Sequence, residues 1–221
     1  MRDRSIFAHL GEEDLRTLGM EVQDLEAEAG ETLYLEGDPA KSAYTLREGA
    51  VKLVKTLPNG RAQIVRLLGP GDIFGFEGLL EPRHRHSAIT LSRSLLCRLD
   101  LPRMNTLSER LPAVREALMR RWFQSLRQAE DHIVELGAKN ASERLTSFLI
   151  QWHGRHPAGT SVPFPFSRQD LGEFLGLSTE HVSRLMADFK RQGLVVERSG
   201  RLTLPEPERL LDYACESGAC G

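Results

Sequence analysis

Between Ser167 and Arg191 the chain reads SRQDLGEFLGLSTEHVSRLMADFKR, two short helical patterns separated by Gly176-Leu177-Ser178. Ser167 stands three residues before Asp170, the spacing of a capping box, in which two side chains satisfy backbone donors that a helix start leaves unpaired. Leu171, Phe174 and Leu175 follow at helical spacing. The second pattern has Ser178 as its N-cap and Val182, Leu185, Met186 and Phe189 along one face. A helix, a short turn containing glycine and a second helix make a helix-turn-helix. In that motif the second helix lies in the DNA major groove with its N-terminal side chains against base edges.

Off the apolar face of the second helix stand Thr179, Glu180, Ser183, Arg184, Lys190 and Arg191. Arginine pairs bidentately with guanine, glutamate accepts from cytosine N4, and serine bonds to several bases. Glu180, Ser183 and Arg184 lie three and four residues apart, so they share one face near the helix start. The outside of any short helical bundle carries such charges, but the motif around these favours DNA. Ser167, Arg168 and Gln169, opening the first helix, are placed to hold phosphates and set register. Gly193 ends the second helix. Leu194 to Leu204 then reads as a β-hairpin turning at Ser199-Gly200, a wing, so the module is a winged helix.

Charge alone would not suggest this. The net charge is -2 over 221 residues, and from Ser167 to Leu204 six cations face five carboxylates, a weak electrostatic footprint. With 40% hydrophobic and 27% charged residues, the chain has an ordinary soluble composition. No apolar run approaches the roughly 20 residues that span a bilayer. No signal-peptide pattern opens the chain, so cytoplasm and no membrane partner are expected.

Upstream, Gly11-Glu12-Glu13-Asp14 and Leu15, Leu18 and Met20 predict a short helix within residues 1–28. From residue 29 to 100 glycine recurs between short apolar runs such as Ala50-Val51-Lys52-Leu53-Val54, which predicts a compact β-barrel or sandwich. Asn59-Gly60 predicts a hairpin with a type I′ turn, both central residues at positive φ. Residues 110–137 form the longest helical pattern. Val114, Leu118, Trp122, Leu126, Ala129, Ile133 and Leu136 recur near three-and-a-half spacing, which suits a coiled-coil seam, with Met119 and Phe123 turned toward the chain's own β-domain. Residues 138–152 predict a further helix, and 153–160 a loop.

Ser167-Arg168-Gln169-Asp170, Leu175-Gly176-Leu177-Ser178 and Glu180-x-x-Ser183-Arg184 together resemble the C-terminal domain of the Crp/Fnr family of bacterial transcription regulators. The resemblance continues through Asp131-His132-Ile133 and Glu143-Arg144-Leu145 into the N-terminal half. Thr179 and Ser183 stand where the cyclic-AMP-responsive branch has Arg and Gly, so the recognition helix is similar to the Fnr and FixK branches. The resemblance implies an α+β fold: a jelly-roll-like β-roll of the cyclic-nucleotide-binding kind over 1–110, a dimerisation helix over 111–137, and a winged helix-turn-helix with a C-terminal tail over 138–221. It implies a homodimer on an inverted repeat of TTGAT half-sites, with RNA polymerase as a further partner and a redox, oxygen or nitric-oxide type of signal. A constitutively competent FixK-like regulator, controlled by abundance and cysteine oxidation, is the alternative.

The effector pocket implied by the resemblance falls on Phe76, Glu77, His86 and Ser87. Phe76 and His86 replace the ribose-binding Glu and phosphate-binding Arg of the cyclic-nucleotide branch, which removes the bidentate contact a cyclic phosphate needs and argues against cyclic AMP. Gly78-x5-His84-x-His86 also matches the opening of a cupin metal motif. That motif needs a glutamate four or five residues further, where Thr90 and Leu91 stand, so an enzyme is not expected and a solvated Glu81–His86 loop is. Of the three cysteines, Cys97 falls where Fnr-type sensors have the internal ligand of an iron–sulfur cluster. Cys215 and Cys220, with Asp212, fall in the tail. The readings are a cluster, which wants four ligands, thiol redox sensing, or a strand cysteine with a frayed tail. Haem is a further family option that no histidine spacing selects.

Overall fold

The structure is a computed structural model that describes residues 23–156 and 161–218. The helix expected at Gly11–Met20 and the tail residue Cys220 lie outside the described residues. The chain divides between Ala129 and Glu130 into two compact units.

The first unit is built from β1 (Gln23–Ala27), β2 (Thr32–Tyr34), β3 (Ser42–Glu48), β4 (Val51–Thr56), β5 (Ala62–Leu68), β6 (Ile73–Phe74), β7 (Ser87–Thr90) and β8 (Ser94–Asp100). They form two antiparallel four-stranded sheets, in the orders β1-β8-β3-β6 and β2-β7-β4-β5. Leu46 and Leu96 from one sheet pack with Val51, Leu53 and Ala88 from the other, all essentially without solvent contact. Gln23–Ala27, read with the N-terminal helical segment, is therefore an edge strand. The β-roll expected for this half is the observed fold.

The β4–β5 hairpin is present, but its turn is not type I′. Asn59 has ordinary negative φ and only Gly60 is left-handed, at φ 79°. The Gly60 amide bonds to the Leu57 carbonyl at 2.9 Å, so Pro58-Asn59 is the centre of an ordinary turn that Gly60 closes as a bulge. Pro58 decides this, because its ring holds φ negative and presets the turn before Asn59.

Two helices close the roll, α1 (Leu101–Arg110) and α2 (Pro112–Ala138). Leu101, Met104, Val114 and Leu118 join Ile73, Phe76 and Leu99 in a second cluster. Each such buried side chain contributes roughly 1.5–3 kcal/mol. The first turns of α2 are therefore packed into the roll. Met119 and Phe123, expected to face the roll, are 60% and 61% exposed. At 100° per residue they point away from the side on which Val114 and Leu118 are buried.

The second unit contains the end of α2, α3 (Ala141–Gly154), β9 (Ser161–Pro163), α4 (Arg168–Leu175), α5 (Thr179–Arg191), β10 (Val196–Arg198), β11 (Arg201–Thr203) and α6 (Pro207–Gly218). Asn140 and Glu143 form a capping box at the start of α3. Phe148, Trp152, Phe164 and Phe166 meet edge to face, and the Trp152 indole donates to the Pro163 carbonyl at 2.7 Å. The three strands pair in the order β10-β11-β9. The tail is not frayed up to Gly218. Proline at the first helical position and buried Leu210 and Ala214 four residues apart make α6 an amphipathic helix.

Candidate nucleic-acid interface

The two helices of the motif are set by short-range chemistry. The Ser167 hydroxyl accepts from the Asp170 amide at 3.0 Å while the Asp170 carboxylate accepts from the Ser167 amide at 3.0 Å, completing the capping box. Gly176 ends α4 in the left-handed conformation. Gly172 lets the chain turn back closely: a Cβ there would stand 2.7 Å from the Leu177 carbonyl oxygen. The Ser178 hydroxyl then accepts from the His181 amide and starts α5. At its end the Gly193 amide bonds to the Lys190 carbonyl and the Leu194 amide to the Phe189 carbonyl, a Schellman closure. The wing turns at Ser199 and Gly200, at φ 49° and 68°, the type I′ geometry.

Val182, Met186 and Phe189 of α5 are buried, and Thr179, Glu180, Ser183, Arg184, Ala187, Lys190 and Arg191 are exposed. The four side chains expected to read bases are thus brought together at the start of one open helix face. Arg184 pairs with Glu180 at 3.6 Å, both well exposed, and the Ser183 hydroxyl donates to the Thr179 carbonyl. Exposed pairs of this kind hold their partners weakly, so Arg184 is available to a base edge.

The three residues expected to hold phosphates behave differently. The Ser167 hydroxyl is engaged with Asp170, and the Gln169 amide donates to Glu173 at 2.8 Å. Arg168 reaches the carboxylate of Glu197 in the wing, and Lys190 meets the same oxygen at 2.6 Å. The two cations hold the Glu197 carboxyl below the usual range although burial opposes this. Nothing in the sequence signals this pairing, because its three members come from α4, α5 and β10. Sequence reading also missed Arg144, whose guanidinium donates to the Lys139 and Leu175 carbonyls. It thereby satisfies a carbonyl at the C-terminus of α4, where a cation is favoured. His132 stacks on Phe174 at 4.2 Å between ring centroids, which fixes α4 from the other side.

In the first unit Phe76, Glu77 and His86 line a cavity of about 340 Å³ together with Phe74, Trp122 and Ser125. Gly75 opens it with φ 81°, and a Cβ there would stand 2.9 Å from the Ser42 carbonyl. Ser87 does not join them: its hydroxyl accepts from the Glu36 amide at 2.9 Å. In the Glu81–His86 segment Pro82, Arg83 and Arg85 are exposed, as expected of a solvated loop, but His84 is not. His84 is only 4% exposed, its ring stacks on Tyr34 at 3.6 Å, and its Nδ1 meets Glu77 at 3.0 Å. These partners come from β2 and the short 3-10 helix Phe76–Leu79, which the local sequence of the loop does not reveal.

Burial pushes the His86 imidazole below its ordinary 6.5, with Glu77 at 3.5 Å opposing. A histidine held neutral in the fold binds its proton more readily when unfolded, so its contribution is complete above the unfolded pKa and is lost as pH falls below it. The midpoint of unfolding is expected to drop as pH is lowered from 7 through the range below 6.5, more steeply for the native chain than for His86→Gln. Identical slopes for the two chains would remove His86 from this role.

Cys97 is half-buried on β8 with its sulfur 3.7 Å from Asp24, and burial followed by the Asp24 charge pushes the thiol up. A thiol held protonated is a poor metal ligand and a slow nucleophile. Asp212 and Cys215 are exposed one turn apart on α6. Among the described residues no three histidine, cysteine or acidic side chains are grouped to hold a metal ion.

A β-roll joined to a winged helix with an open polar recognition face defines a DNA-binding transcription regulator. Comparison with known proteins agrees. A cyclic nucleotide-binding domain model matches residues 24–110 and a Crp-like helix-turn-helix model matches residues 143–213. The nitrogen fixation regulation protein FixK of Bradyrhizobium diazoefficiens is 32% identical over 214 residues, 95% of this chain and 90% of that protein. The fumarate and nitrate reduction regulatory protein of Escherichia coli K12 is 30% identical, covering 84% of this chain and 76% of that protein. The structure of FixK2 from Bradyrhizobium japonicum superposes with a TM-score of 0.80 at 31% identity, covering 86% of this chain and 96% of that one. The chain belongs to the Crp/Fnr family, on its FixK/Fnr-like branch, and is a regulator rather than an enzyme. Among the described residues no helix is long and apolar enough to cross a membrane.

Proposed function

We propose that the protein acts in the cytoplasm as a homodimer that binds an inverted repeat of TTGAT half-sites and presents RNA polymerase with a DNA-bound surface. The observation that carries this reading is the α5 face, with Thr179, Glu180, Ser183 and Arg184 all exposed at its start. The base-reading roles follow from donor and acceptor chemistry: Arg184 to guanine, Glu180 to cytosine N4, Ser183 and Thr179 to neighbouring edges. The start of α4 meets the backbone through the Arg168 and Gln169 amides, which have no acceptor within their own helix, and through the Gln169 side chain, which exchanges its exposed Glu173 partner for phosphate. Two copies are needed because half-sites lie about one helical turn apart. The exposed apolar residues of α2 supply the surface for pairing.

Arg184→Ala is expected to cost about 1–3 kcal/mol on the palindrome and to relax discrimination at one base position. Fluorescence anisotropy on the TTGAT repeat and on single-base variants tests this. Unchanged discrimination would take Arg184 out of the reading set.

Between a signal held at a cluster and control by abundance with cysteine oxidation, the exposure of Cys215 favours the second. Cys215 is exposed on α6, whose Tyr213 hydroxyl donates to Asp188 of α5 at 2.6 Å, so modification there reaches the recognition helix through one contact.

A further inference from the structure

We propose that Glu197 restrains the attraction of the winged-helix unit for DNA phosphate, by holding Arg168 and Lys190, and so widens the gap between specific and non-specific binding. The inference rests on the DNA-binding reading above. Both cations close on one oxygen, Glu197 Oε2. Arg168 is the first residue of α4, and Lys190 lies seven residues after Ser183, hence on the same face of α5. Both therefore border the surface that carries the base-reading side chains.

Other cations of this surface are also paired, Arg184 with Glu180 and Arg191 with Asp188, but those arginines are 68% and 71% exposed. Salt and water compete easily for such pairs. The Glu197 carboxylate is only 20% exposed, with Arg168 at 25% and Lys190 at 39%. That pairing is screened far less and persists when DNA approaches.

Non-specific binding is driven almost wholly by cations that displace counterions from phosphate. A carboxylate that occupies two such cations weakens this term directly. The base-edge bonds of Thr179, Glu180, Ser183 and Arg184 do not involve it. Six cations against five carboxylates from Ser167 to Leu204 then reflects control of background binding rather than absence of a DNA site.

A role confined to tying the wing to the helices predicts a different result, and the salt dependence of binding separates the two. The full-length protein and E197Q are titrated with a TTGAT palindrome and with a scrambled duplex of equal length, from about 50 to about 200 mM salt. E197Q is expected to bind the scrambled duplex roughly tenfold or more tightly at the lower salt, with a log–log slope steeper by about two for each bound protomer. The ratio of palindrome to scrambled affinity narrows. Arg168→Gln in the native background leaves the scrambled-duplex slope unchanged, and in E197Q it removes about half of the gain.

An unchanged slope in E197Q with native thermal unfolding would overturn the proposal. So would a shallower slope from Arg168→Gln or Lys190→Gln alone, since those cations would already be on phosphate; this arm decides even if E197Q fails to fold. A native protein that does not prefer the palindrome would instead defeat the base-reading assignment, while the scrambled duplex still tests Glu197.

Discussion

A chain with Phe123 and Leu126 both replaced by glutamate is expected to sediment as a monomer and to bind the palindrome about 100-fold or more weakly. Along α2, Met119, Phe123, Leu126, Ile133 and Val134 are all more than half exposed in the single chain. A row of large apolar side chains at helical spacing is a surface that asks for cover. Its buried counterparts, Val114, Ala117 and Leu118, point into the β-roll, so the two glutamates leave the core untouched. Folding should therefore survive while association does not. The loss on DNA follows because the second half-site is engaged at an effective concentration that only a linked copy provides. Sedimentation equilibrium and anisotropy on the same preparation check both parts. A variant that stays dimeric, or a monomer that binds as tightly as the native chain, would defeat the proposed assembly.

Phe189→Ala is expected to destabilise the winged-helix unit by about 3–5 kcal/mol, the range for a buried phenylalanine cut back to a methyl group. Phe189 is the largest side chain of α5 and is fully buried, edge to face with Tyr213 of α6 at 6.1 Å between centroids. Its carbonyl also accepts the Leu194 amide in the closure that launches the wing. A small domain has only about 5–15 kcal/mol in total, so this one change approaches its whole margin. Denaturant unfolding of the full chain should show the C-terminal transition shifted and the β-roll transition unmoved. A shift under about 1 kcal/mol would mean that the site collapses around the missing ring.

Both experiments bear on parts of the molecule that the sequence exposes unequally. The helix-turn-helix is legible because its determinants are local. Ser167 and Asp170 cap across three residues, Ser178 caps the next helix, and Ser199-Gly200 adopts the turn its own residues prefer. Each of these choices is made within four residues, where backbone geometry and hydrogen bonding leave few alternatives. The apolar rows of α2 and α5 are equally plain as periodicity. Periodicity does not say which side of a helix meets its own domain. The spacing is compatible with Met119 and Phe123 facing inward, and packing turns them out.

What the tertiary structure alone decided are the pairings of charged and polar groups that stand far apart in sequence. His84 reads as a loop residue until Tyr34 and Glu77 close around it. Arg168 reads as a phosphate contact until Glu197, 29 residues on, takes it. A local preference is set by the few dihedrals between neighbours and is written into short spacings. The partner of a buried charge is set by which elements the fold brings within hydrogen-bond reach. The sequence by itself therefore determined where the second helix of the motif begins, where it ends and which polar residues it leaves exposed. The folded chain determined which of the cations are held by a partly buried carboxylate and which stay in exposed pairs, because desolvating a charge is tolerated only where an opposite charge has been packed beside it.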